Sequence, residues 1–126
     1  MTMKKAALGL CTTHVHAEAI VTSLRQVGFQ NGDISVLFPD ENTTRDFAYE
    51  QNTKAPEGAA VDGLLGALLG MGIPEIEARH YENKMKGGSI LVSVHVTNGT
   101  DLAQARRVLD SHGATHVVTM SEKKAA

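Results

Sequence analysis

A chain of 126 residues, 42% hydrophobic and 21% charged, is sized for one domain and can bury a core without a disulfide or metal staple. The single cysteine, Cys11, excludes an internal disulfide framework and suits a reducing compartment. Twelve basic residues against 14 acidic ones leave a net charge of -2, and there is no Trp, so nucleic acid finds neither an electrostatic footprint nor many stacking platforms.

The chain opens with Lys4-Lys5 and the apolar run Ala6 to Cys11, which is too short for the hydrophobic region of a signal peptide and reads as a strand. A helix follows over about Val15 to Val27, because Ala17, Ile20, Val21, Leu24 and Val27 recur at three- and four-residue spacing. Gly28 stops it, and Asp33 to Phe38 forms a second strand.

Residues 40–60 are polar and punctuated by Pro39 and Pro56, which predicts a long loop. The Gly/Leu run from Gly63 to Ile73 has about half of the roughly 20 apolar residues that a membrane span needs. The chain therefore reads as soluble and cytoplasmic. A helix then starts at Pro74, with Glu75 and Glu77 in its first turn, Lys84 and Lys86 in its last, and Gly87 beyond. The pairs Glu75–Arg79 and Glu82–Lys86 mark its solvent side, so Glu77, Tyr81 and Lys84 are expected to face protein.

Ser89 to Thr97 predicts a third strand, Thr100 an N-cap, and Leu102, Ala105, Val108 and Leu109 the buried stripe of another helix. Gly113 ends that helix, and Thr115 to Met120 supplies the last strand. Two strand-helix-strand units predict an α+β domain over 1–126, a ferredoxin-like sandwich. Its four-stranded antiparallel sheet would pair the first and third strands centrally, with residues 40–86 inserted between strands two and three.

The string Gly72-Ile73-Pro74-Glu75-x-Glu77-Ala78-x-x-Tyr81-Glu82, with Lys86-Gly87-Gly88-x-x-Leu91-Val92-Ser93-Val94-His95, resembles the signature of the general stress protein 17M-like (YflT-like, heat-induced stress protein) family. Phe47-Ala48-Tyr49-Glu50, Thr53 to Ala59 and the closing Ala105-Arg106-x-Val108-Leu109-x-x-x-Gly113-Ala114 extend the resemblance over nearly the whole chain. It implies a small bacterial stress-associated protein and carries no catalytic mechanism. Longer members have an extended Gly/Ala-rich segment of which about a dozen residues remain here. The acidic start of their first helix is replaced by Thr12-Thr13-His14-Val15-His16.

Four groups of residues carry chemistry. Cys11, His14 and His16 form a Cys-x-x-His-x-His cluster whose ligand types suit zinc or copper, and whose plainer reading is a buried thiol beside two helix-start imidazoles. His95 and Ser93 fall on the strand face turned away from the crossover helices, beside Ala7, Gly9 and Cys11 if Leu8 and Leu10 face those helices. That leaves room for a small ligand or a second subunit. A Cys11–His95 dyad fails, since antiparallel pairing separates the two by on the order of 13 Å. Glu77, His80 and Tyr81, at (i, i+3, i+4), form either an acid/base set or an anchor tying their helix to the sheet. Gly63, Gly66, Gly70 and Gly72 lack the Lys-Ser/Thr of a phosphate loop and read as a tightly packed helical turn.

The resulting expectation is a non-enzymatic, stress-associated protein without a cofactor, acting by self-association and by binding a small ligand or partner. The alternative is a metal-binding or metal-sensing protein using Cys11, His14 and His16. A dimer is expected because Leu37, Leu91 and the Gly/Leu helix (Leu64, Leu65, Leu68, Leu69) present more apolar surface than one chain was expected to cover, with Gly66 and Gly70 permitting close contact.

Overall fold

The computed structural model of the protein describes residues 4–53 and 59–122. Strand β1, Lys4–Cys11, leads into helix α1, His14–Gln26, whose Thr13 hydroxyl accepts from the His16 amide at 3.1 Å. A single 3₁₀ turn over Asn31–Asp33 then enters strand β2, Ile34–Leu37. Three helices follow: α2, Glu41–Gln51; α3, Ala59–Gly70; and α4, Glu75–Lys86. Strand β3 (Ile90–Val96), helix α5 (Gly99–Ser111) and strand β4 (Thr115–Glu122) complete the order. The fold is α+β, with a four-stranded antiparallel sheet in the order β2-β3-β1-β4.

The expected loop over 40–60 is replaced in part by α2, while residues 54–58 lie outside the described residues. Asp40 caps α2 by accepting from the Thr43 amide at 2.9 Å, and Glu41 sits favourably in the first turn. Its apolar stripe is only Thr44, Phe47 and Ala48, too narrow to raise a periodic signal above a polar background. The left-handed Asn52, φ 58°, ends it. The N-cap of α5 is Asn98, not Thr100: its side chain accepts from the Asp101 amide at 2.8 Å.

Both faces of the sheet are covered. Ala7, Cys11, Val36, Val92 and Val94 pack against Ile20, Val21 and Leu24 of α1 and Ala105 and Leu109 of α5. Leu8, Leu10, Leu37 and Leu91 pack on the other side against Ala67 and Leu68 of α3 and Ala78, Tyr81 and Met85 of α4. Two expectations change. Strand β1 is turned over: Ala7 and Cys11 face the crossover helices, and Leu8 and Leu10 the inserted ones. The reason is Gly9, where a Cβ would lie 3.1 Å from the Ala114 Cβ and 3.4 Å from Leu109, so only small residues let α5 and its exit approach the strand. The face expected to be bare is closed by α3 and α4 of the same chain, which removes that ground for a second copy.

Gly9→Val should therefore push the start of β4 and the end of α5 off the sheet, destabilising the fold by about 2 kcal/mol. Thermal unfolding followed by circular dichroism should show a midpoint lower by roughly 5 °C or more.

Candidate functional site

Helix α4 carries the residues that the sequence singled out in the insertion. Starting after the extended Pro74 (φ -57°, ψ 148°), it buries Ala78, Tyr81 and Met85 at helical spacing. Tyr81 faces protein as expected, but Glu77 and Lys84 are exposed, because each lies beside that stripe. The expected pairs on the outer side are present, Glu75–Arg79 at 3.2 Å and Glu82–Lys86 at 3.9 Å.

Tyr81, only 2% exposed, donates its hydroxyl to the backbone carbonyl of His116 at 3.1 Å and so ties α4 to β4. Burial raises its phenol first, and the nearby Glu77 charge adds to this, pushing the pKa from 10.0 to about 12. The proton stays on at neutral pH, so Tyr81 serves as a donor and not as a base. Next to it, the His80 and His116 rings stand 5.4 Å apart at 84°, both exposed. His116 takes a left-handed backbone, φ 50°, a region that His enters more readily than most side chains. Nothing in the sequence marked His116, because the contact bridges α4 and β4 and depends on that backbone turn.

The residues of the proposed zinc or copper cluster have other partners. Cys11 is buried, its Sγ 4.0 Å from the Thr13 carbonyl, and burial pushes its pKa from 9.0 to about 11. His14 meets Glu18 at 3.0 Å and packs its ring on Phe38 and Phe47, with centroids 5.4 and 5.2 Å away. The His16 Nε2 bonds to the His112 carbonyl, and the His112 Nε2 to Ser23 Oγ at 2.6 Å, clasping α1 to the end of α5. Among the described residues no three His, Cys, Asp or Glu side chains are grouped as ligands of one metal ion.

Ser93 is buried and His95 half-buried on the α3/α4 side, as their alternation predicts. Their neighbours on β1 are Leu8 and Ala6, not the Ala7, Gly9 and Cys11 anticipated, so the space expected beside His95 is filled differently. Cys11 pairs with Ile90, five residues from His95 along β3 and on the opposite face, which separates the two as expected. A cavity of ≈ 90 Å³ lies where β2 meets α2 and α3, lined by Leu37, Phe38, Pro39, Glu41, Thr44 and Leu64. Among the described residues no helix is long and apolar enough to cross a membrane. Compared with known proteins, the chain matches no family model, no curated protein and no solved structure.

Two outcomes follow from the titrating groups. An unfolded chain releases the Tyr81 proton near pH 10 and the folded one near 12, so the folded state binds more protons in between and stability falls as pH rises. Tyr81→Phe should flatten that alkaline loss, worth about 2–3 kcal/mol, in urea unfolding at stepped pH, while costing about 1 kcal/mol at neutrality through the lost hydrogen bond. Iodoacetamide at about pH 8 should leave native Cys11 unmodified and label it fully once the chain is unfolded, with mass spectrometry as the readout.

Proposed function

We propose that the protein is a non-enzymatic, stress-associated bacterial protein, cytoplasmic and built on a ferredoxin-like domain, that acts by self-association and by docking a partner. The stress association rests on the resemblance carried by Gly72 to Glu82 and Lys86 to His95. The domain reading rests on the central β1–β3 pair and on the two strand-helix-strand halves, which share one helical face.

The observation that carries self-association is the edge strand β4. It pairs only with β1 among the described strands, whereas the opposite edge, β2, is four residues long and buried throughout. Thr115 to Met120 contains no Pro, Lys, Arg, Asp or Glu, the residues that blunt a sheet edge. The strand is complementary to itself. A twofold axis at Thr119, within the regularly paired stretch from Val118 onward, sets Thr119 against its mate and Val118 against Met120. Each pair then shares one face, as antiparallel register demands.

Light scattering at micromolar concentration should give twice the 13.4 kDa chain mass. Thr119→Lys, at an exposed position, should return a monomer of unchanged circular dichroism. A wild-type mass near 13.4 kDa would sink this reading.

A further inference from the structure

Of the six histidines, four are engaged. His14 meets Glu18, His16 the His112 carbonyl, His112 the Ser23 hydroxyl, and His95 has an interaction within the chain. His80 and His116 differ. Both are exposed, and among the described residues neither ring nitrogen is hydrogen-bonded to protein, since the bond at His116 uses its backbone carbonyl. The two rings meet edge to face across the α4–β4 junction, their centroids 5.4 Å apart.

The geometry points to a binding site for one divalent transition-metal cation, held by the imidazoles of His80 and His116 with water in its remaining positions. A metal–nitrogen bond of about 2 Å plus ~1.2 Å from nitrogen to ring centre places each centroid ~3.2 Å from the ion. At a tetrahedral angle two such rings then stand ~5.2 Å apart, against 5.4 Å observed. Turning one nitrogen of each ring toward a common point rotates exposed side chains and breaks no hydrogen bond to protein. Imidazole pairs suit zinc, nickel and copper, and not calcium or magnesium, which take oxygen ligands.

The pair is held by the fold. His80 precedes Tyr81, whose buried hydroxyl donates to the His116 carbonyl, so one hydrogen bond holds the His116 backbone beside α4. Glu77, one turn before His80, adds a negative charge, and Lys84, one turn after, an opposing one; both are exposed and screened by water. Both ligands come from one chain, so the site does not depend on pairing through β4.

Zinc chloride titrated calorimetrically into tag-free protein should show one ion per chain and a raised unfolding midpoint. His80→Gln and His116→Gly should each weaken binding by roughly tenfold or more and abolish the rise in midpoint. At φ 50° glycine fits the His116 backbone without strain, so this variant removes the imidazole and keeps the turn. His14→Gln and His16→Gln should bind zinc as the wild type does. Wild-type affinity no tighter than that of the doubly substituted His80→Gln, His116→Gly chain overturns the assignment, as does loss of zinc confined to the His14 and His16 variants.

Discussion

The structure depends on a sheet whose central strands are apolar on both faces. Strand β3 is buried at every position but His95, and β1 from Ala6 to Cys11, so neither can turn a side to water. Crossover helices α1 and α5 cover one face, as the strand-helix-strand connections require. The second face would leave Leu8, Leu10, Leu37 and Leu91 wet, and the helices between β2 and β3 cover it. Helices α3 and α4 thus complete a second, smaller core layer. Removing that apolar area from water is worth roughly 25 cal/mol per Å², far more than any exposed ion pair on α4, such as Glu75–Arg79, contributes.

Covering both faces fixes where small residues must go. The close passage of α5 and its exit over β1 leaves a Cβ at Gly9 only 3.1 Å from the Ala114 Cβ, and Ala7 shares that crowded face. The larger Leu8 and Leu10 lie where α3 and α4 pack on the sheet. Gly63 breaks α3 with φ 71° and ψ -156°, and the segment after it directs Ala67 and Leu68 onto the sheet while leaving Leu69 42% exposed. A helix apolar all round is therefore satisfied on one side by its own chain.

Alternation and helical spacing made β1, α1, α4, β3 and α5 legible in the sequence, since each carries a strong period and most carry a terminating glycine. The facing of β1 was not legible. When both faces are buried, side-chain size no longer says which is inside, and Leu8 and Leu10 read as core on either side. Helix α2 escaped because Thr44, Phe47 and Ala48 are its whole buried stripe. At the candidate site, Tyr81 was legible from its position on α4, and Glu77 was misplaced by assuming that one face is solvent and the opposite face protein. His116 was out of reach: its ring meets His80 only because β4 enters the sheet through a left-handed residue.

Both faces of the sheet are closed, and the two proposals made above rest on the edge of β4 and on the junction where α4 meets it. The two features have one origin. Among the described residues β4 is an outer strand with no strand on its far side, and His116, near its start, meets the middle of α4 at Tyr81. The register of β1 and β4 shifts between Leu8 and Leu10, where the strand leaves regular pairing. Bulges commonly re-aim a side chain at the margin of a sheet. Here the irregular start of β4 turns His116 toward His80, while from Val118 onward the strand pairs regularly with β1. On the two proposals made above, the bent end of β4 would hold an ion and its regularly paired stretch a second strand, so the two rest on different residues of one strand.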